Sequence, residues 1–221
     1  MSNLFSESEH SRLSAAIEEA ETQSGAEIVP YVAVRSDAYP AVRWRGGVLA
    51  ALLAAGLLVL LRANALLPLP VPAGLVELSA MLAAGGLGAF TAGTIPSLMR
   101  FLVPAREAGR AVKRRALQAF VEEEVFATRD RTGILLFVSL LEHRIEVLAD
   151  TGIDRQVDDN AWTDVTHHIR TGIEEDRLTQ GLLNGIACCG RLLDEHGLDP
   201  DGPNELDDRV RSEMEPGSST R

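Results

Sequence analysis

The spacing of hydrophobic positions changes several times along this chain, and each change predicts a different element. Ser6 followed by Glu9 forms a capping box, Leu13, Ala16, Ile17 and Ala20 share one helical stripe, and Gly25 stands at a C′ position, so the chain opens on a helix. Residues 26–34 (AEIVPYVAV) then predict a β-strand, which Pro30 directs toward a sheet edge or a bulge because it lacks an N–H.

Between Arg45 and Arg100 the only charges are Arg62 and Glu77. Residues 46–61 give 16 uncharged positions, roughly 24 Å of helix, and residues 78–99 give 22, roughly 33 Å. Against a hydrocarbon layer of about 30 Å these predict two membrane-crossing helices, with Trp44, Arg45 and Arg62 at the interfaces and LPLPVPAG as the turn between them. The competing reading is a helical hairpin buried in a large soluble core. In the second helix Gly85, Ala89 and Gly93 repeat every four residues, with Gly88 and Ala92 beside them, and predict a close helix contact. Its partner is either the first helix, through Gly56 and its neighbouring alanines, or a second copy of the chain as a homodimer.

Beyond the hairpin, Pro104 at an N1 position starts a long helix to about Arg129, with Val112, Ala116, Phe120 and Val121 facing inward. Residues 133–141 (GILLFVSLL) are a nearly continuous apolar run of strand length and 144–149 (RIEVLA) alternate, so Glu142 and His143 read as a tight hairpin turn. Helices follow over roughly 160–173 and 179–196, the second with Leu182, Leu183, Ile186, Cys189 and Leu193 on one face. From Gly197 the composition is that of a disordered acidic tail. Neither flank of the hairpin has enough strands for a sheet, so the strand at residue 26 is expected to pair with those after 132. The division is therefore 1–42 and 101–196 as two parts of one soluble domain, 43–100 as the hairpin and 197–221 as the tail.

Charge refines the picture. Arg35, Arg43 and Arg45 precede the hairpin and Arg100, Arg106, Arg110, Lys113, Arg114 and Arg115 follow it, which places both termini in the cytoplasm and the basic cluster against anionic lipid of an inner (cytoplasmic) membrane. Residues 132–221 hold 19 Asp and Glu against 8 Lys and Arg, matching the net charge of −11. That excludes nucleic acid as a natural partner and leaves cations or basic protein segments, or a merely solubilising surface.

Catalytic signatures are sparse. No Gly-rich loop with Lys and Ser/Thr is present, and Glu195 occupies the place of the arginine that a thiol phosphatase needs six residues after Cys189. Cys188 and Cys189 are adjacent on a helix and read as free thiols. His167 and His168 with Asp164 one turn earlier read as a solvated helix-surface group, and Trp162 as a packing anchor.

Three segments, SGAEIVPYV from Ser24, RTGILLFVSLLEHRIEVLADTGI from Arg131 and QGLLNGIACCGRLLDEH from Gln180, resemble the TPM-domain family. The two-helix insertion and the NELDDRV tail from Asn204 resemble its bacterial membrane-inserted branch. The resemblance implies an α/β/α sandwich around a small mixed sheet. It also implies functions that range from membrane-protein assembly or repair to calcium binding and acid phosphatase activity. The expected role is thus a membrane-anchored binding or assembly module, with membrane lipid and a membrane-protein partner, and the alternative is a metal-assisted acid phosphatase.

In the family the loop after the last clear strand is Gly-rich and acidic, and here it reads ADTGIDRQVDDNAW. The resemblance therefore implies Asp150, Asp154, Asp158 and Asp159 as calcium ligands, in keeping with the oxygen-rich shell calcium requires. The loop lacks the proline and aromatic turn residue of many members. The same aspartates also suit local capping, Asp158 or Asp159 at the helix near 160 and Asp154 beside Gly152.

Overall fold

The computed structural model describes residues 4–64, 73–155, 157–196 and 205–213, without the side chains of 73, 154 and 159. In chain order the elements are α1 (Glu7–Ser24), β1 (Glu27–Ala33), α2 (Pro40–Ala63), α3 (Ala73–Thr94), α4 (Pro96–Leu102), α5 (Ala105–Glu122), β2 (Gly133–Ser139), β3 (Arg144–Ala149), α6 (Thr151–Asp154), a 3-10 turn (Asp159–Trp162), α7 (Thr163–Glu174), α8 (Leu178–Glu195) and β4 (Arg211–Glu213). They form two compact units, one of residues 1–37 with 108–221 and one of residues 38–107.

The first unit is a mixed α/β structure built on a four-stranded sheet of order β3-β2-β1-β4. α1 begins as its sequence dictates: Ser6 Oγ accepts from Glu9 N at 3.3 Å, Glu9 Oε2 accepts from Ser6 N at 2.9 Å, and Gly25 closes the helix at φ 65°. β1 pairs in parallel with β2 from Glu27↔Gly133 to Ala33↔Ser139, as its expected partnership across the insertion requires. β3 runs antiparallel to β2, and β4 parallel to β1.

Pro30 lies in a strand with neighbours on both sides, yet at an edge-like place. Backbone N–H groups alternate in direction along a strand; Glu27 N donates to Thr132 O on the β2 side, and Val34 N to Glu213 O on the β4 side. Pro30 therefore faces β4, whose pairing begins only at Tyr31. No N–H is wanted there.

Helices cover both faces of this sheet. Ile28, Val32, Ile134, Leu136 and Val138 pack with Leu13, Ile17, Val165, Ile169, Leu182, Ile186 and Leu193 of α1, α7 and α8. Val29, Tyr31, Leu135 and Phe137 pack instead with Val112, Ala116 and Ala119 of α5. The near-continuous apolar run of β2 is thus what a strand covered on both faces requires. Trp162 is buried in the first of these clusters, as an anchor.

Four sequence expectations are corrected. The helix expected to reach Arg129 ends at Glu122, because Glu124 takes φ 52° and Val125 N donates back to Phe120 O, a Schellman closure made without glycine. Val121 is 61% exposed and faces away from the core. The β2–β3 connection is Leu140 to His143, longer than a two-residue turn, with His143 at φ 50°. Residues 205–213 are not a disordered tail: Leu206 packs against the α5 side of the core, Val210 is 5% exposed, and Arg211–Glu213 form β4. Residues 197–204 and 214–221 of that tail lie outside the described residues, as does most of the LPLPVPAG turn.

What anchors β4 is a charge. Arg115, 4% exposed on α5, donates from Nε to Glu213 Oε2 at 2.8 Å, from Nη2 to the Tyr31 hydroxyl at 2.6 Å and from Nη1 to Glu122 Oε2 at 2.9 Å. Tyr31 OH donates to Glu213 Oε2 at 3.1 Å, and its ring stacks on Phe137. Burial acts to lower the Arg115 pKa, but its hydrogen bond to Glu213 and the nearby negative charges outweigh this and raise it. Tyr31 is raised by burial. A buried pair of this kind is costly to break from one side.

The second unit contains the two helices long and apolar enough to span a membrane, and only 6% of each apolar window is buried, unlike a core hairpin of a soluble protein. Its contact is made by small residues. A Cβ on Gly88 would lie 2.4 Å from Ala50 Cβ and 2.6 Å from Gly46 O, and one on Gly46 would lie 2.3 Å from Ala92 Cβ. Gly47 faces Gly85 and Ala89. The small-residue face of α3 is therefore occupied by α2, through Gly46, Gly47, Ala50 and Ala51; Gly56, expected to contribute, has nothing within 4 Å of its Cβ position. The unit extends to Glu107 because α4 and the first turn of α5 pack back, Arg45 donating to Leu102 O and pairing with Glu107 at 2.8 Å. The two charges that interrupt the hairpin, Arg62 and Glu77, pair with each other at 2.9 Å.

Two variants test these contacts. Gly88→Leu is expected to cost roughly 1–3 kcal/mol by overpacking, lowering the melting temperature of the purified protein, while Gly56→Leu leaves it unchanged. Glu213→Ala should destabilise the α/β unit by about 3–5 kcal/mol, seen as a lower urea midpoint, because Arg115 and Tyr31 then stay buried with a partner missing.

Candidate functional site

The acidic loop after β3 is split by the fold into separate local duties. Asp150, 4% exposed, is the N-cap of α6: its Oδ1 accepts from Thr151 N at 2.6 Å. Its Oδ2 lies 2.9 Å from Arg131 Nε, out of line for a hydrogen bond, so that contact is ionic. A carboxylate with one oxygen capping a helix and the other facing a guanidinium does not fit a calcium ligand. Asp158 is exposed and caps the 3-10 turn, accepting from Asn160 N at 3.3 Å. The side chains of Asp154 and Asp159 lie outside the described residues. Among the described residues no three His, Cys, Asp or Glu side chains stand close enough to hold a metal ion.

The histidines and cysteines are not brought into a site. His167 and His168 lie on α7 with ring centroids 6.3 Å apart and no hydrogen bond to Asp164 among the described residues. Cys188 and Cys189 are free, and burial pushes the Cys189 thiol far above its ordinary range, which keeps it an unreactive core residue.

Two polar groupings escaped the sequence reading. At the carboxyl end of the parallel strands Ser36, Ser139 and Glu142 are all buried. Ser36 Oγ lies 2.6 Å from Ser139 Oγ, Ser139 donates to Glu142 Oε2, and Glu142 Oε1 accepts from Ser36 N at 3.0 Å. The residues that leave β1 and β2 are tied by this knot. It is closed to solvent and satisfies its own hydrogen bonds.

The second grouping stands at the opposite end of β1, where β4 no longer covers its edge. Glu21 Oε1 accepts from Ile28 N at 2.7 Å, and Glu27 accepts from Glu205 N at 2.8 Å and Leu206 N at 3.1 Å. These side-chain carboxylates do what a neighbouring strand's carbonyls would do, and they hold the chain that leads into β4. Burial, then the charges of Glu27 and Asp208, push Glu21 up to about 9, although the Ile28 N–H opposes the shift. Glu27 is raised as well, first by burial and then by Asp208 and Glu205, against the two backbone donors. Near neutral pH Glu21 therefore carries a proton, which lets it lie beside Glu27 and Asp208. No sequence pattern marks it, because the cluster joins the end of α1, the start of β1 and the tail.

No family model and no curated protein sequence matches the chain. Among solved structures, the NMR structure of the BA42 protein from the psychrophilic bacterium Bizionia argentinensis is similar in fold, with a TM-score of 0.58 and 15% identity, over 96% of this chain and 98% of that one.

The Glu21 shift sets a pH dependence. The folded state keeps to about pH 9 a proton that the unfolded chain releases near 4.5, so this contribution to stability is present in full below 4.5 and is lost as pH rises toward 9. Urea midpoints measured from pH 5 to 9 should fall with pH in the native sequence and fall less in Glu21→Gln. A native midpoint that rises across this range would contradict the assignment.

Proposed function

We propose that this chain is a membrane-anchored module of the TPM type. In this reading its α/β unit is held at the cytoplasmic side of an inner membrane by α2 and α3, with both termini cytoplasmic. The observation that carries it is the polarity of the hairpin. Glycine and alanine face the helix contact, while Leu52, Leu53, Val59, Leu82 and Phe90 are each more than 60% exposed. A hairpin made for water would place the large apolar side chains inside and polar ones outside; small-in, large-out packing suits lipid. Trp44, 79% exposed and flanked by Arg43 and Arg45, is then an interfacial anchor at one end, and the Arg62–Glu77 pair lies toward the loop at the other.

The role we assign is binding, as an accessory to assembly or maintenance of other membrane proteins. The sandwich carries the acidic part of the chain, which suits a basic segment of a membrane-protein partner. The TPM-like segments identified above support the same reading, and the fold likeness to the BA42 protein is in keeping with it. Calcium enters this proposal only through Asp154, Asp158 and Asp159, since Asp150 is engaged elsewhere.

Topology provides the test. With a cysteine placed at Pro70, a membrane-impermeant maleimide added to intact cells should label that position, while the half-buried Cys188 reacts only after permeabilisation. Extraction of the chain by alkaline carbonate would overturn the anchoring. Phosphatase activity of the purified full-length protein that is lost in Asp154→Asn would replace the binding role by the metal-assisted phosphatase.

A further inference from the structure

The α5 helix has two unlike faces. Ala108, Ala111, Val112, Arg115, Ala116 and Ala119 are buried, with Val112, Ala116 and Ala119 packed against the sheet. The opposite face carries Arg110, Lys113, Arg114, Leu117 and Val121, each three or four residues from another of the set, and together with Gln118 and Glu122 they line an open hollow of about 680 Å³. A solvated stripe would be polar throughout; here Leu117 is 50% and Val121 61% exposed, side by side one turn apart. The cations sit at the N-terminal side of these two. Arg114 pairs with Asp37, whereas Arg110 and Lys113 have no ion-pair partner among the described residues. Beyond Val121 the sign reverses, with Glu122, Glu123 and Glu124 in succession.

Uncompensated cations beside exposed apolar side chains are unexpected in a chain of net charge −11. Basic residues rimming an apolar strip are the composition of a helix that lies in a membrane interface, where the apolar side chains enter the headgroup boundary and the cations meet anionic headgroups. The chain reaches α5 from α3 through only the short α4, so any surface that α3 crosses is near in sequence.

We infer that the outer stripe of α5 is an anionic-lipid docking surface: Leu117 and Val121 enter the interface, and Arg110 and Lys113, aided by Arg114, bind the headgroups. This rests on the reading of α2 and α3 as membrane spans. The anionic lipid thereby fixes the attitude of the α/β unit on the bilayer, an attachment separate from the spans themselves.

The test uses the full chain in nanodiscs of phosphatidylcholine with or without phosphatidylglycerol, with a nitroxide on a single cysteine at Leu117, at Leu53 or, as a control on α8, at Glu195, in a background of Cys188→Ser and Cys189→Ala. Collision with oxygen and with a water-soluble nickel chelate reports immersion at each position. In phosphatidylglycerol discs the Leu117 label should leave water and the Glu195 label should not. Arg110→Gln with Lys113→Gln should lower the docked-to-undocked ratio about fivefold per cation removed, and raised salt should do likewise without any substitution. A Leu117 label that stays in water while the Leu53 label is immersed overturns this inference and leaves the spans intact. Labels at both Leu53 and Leu117 in water would overturn the spans, and the inference with them. Protection of Leu117 that is equal in phosphatidylcholine alone and insensitive to salt, with close Leu117 to Leu117 distances between chains, assigns the face to a second copy and overturns the lipid.

Discussion

The parallel pairing of β1 with β2 is the constraint on which the rest of this molecule depends. Glu27 stands opposite Gly133 and Ala33 opposite Ser139, so everything from residue 34 to residue 132 must leave at the carboxyl end of one strand and return to the amino end of the next. Parallel neighbours need a crossover, and a helix packed on the sheet is the usual one. α5 is that helix. The apolar hairpin is threaded into the crossover before α5 and contributes nothing to the sheet. Its presence therefore alters neither the register of β1 and β2 nor the core on either face, which is why a membrane-length insertion can sit inside a small α/β unit without dividing it.

How much of this the sequence could tell depends on what holds each element. α1 was legible because its ends are local chemistry, Ser6 with Glu9 at one and Gly25 at the other. β2 was legible because both of its faces are buried and seven successive residues had to be apolar or small. The hairpin was legible from its lack of charge, and its small-residue face from Gly85, Gly88, Ala89 and Ala92. Reading which helix meets that face required the structure, since Gly46 and Gly56 look alike in sequence and only Gly46 touches α3. β4 was invisible. Its residues are Arg, Ser and Glu in a segment of disordered composition, and an ion pair to Arg115 keeps it on the sheet, where hydrophobic patterning carries no signal. The metal reading of the aspartates met the converse difficulty. Asp150 and Asp158 are indistinguishable in sequence from ligands, but the backbone N–H groups of the turns that follow them were the nearer partners.

Carboxylates thus play an unusual part along β1. At its carboxyl half Glu213 reaches Arg115 and Tyr31; at its amino half Glu21 and Glu27 accept from backbone N–H groups where no strand is present to do so. The first arrangement brings a positive partner to the buried charge. The second does not, and the strain is relieved by a proton on Glu21. The two halves of the edge are consequently held by different means. Glu213 is held by the Arg115 cation, whereas a proton is the condition under which Glu21 lies beside Glu27 and Asp208.

That asymmetry bears on how residues 205–213 are held. Their β4 end depends on an ion pair, and their Leu206 end on acceptors that are crowded by like charge. Repulsion among Glu21, Glu27 and Asp208 grows as Glu21 loses its proton, while Arg115 remains charged throughout any physiological range. That repulsion acts at the Leu206 end of the segment and not at the Arg115–Glu213 pair. The segment is thus held at one end by a buried arginine and at the other by backbone donors to a carboxylate under like charge, and the difference follows from which carboxylate along β1 has a cation beside it.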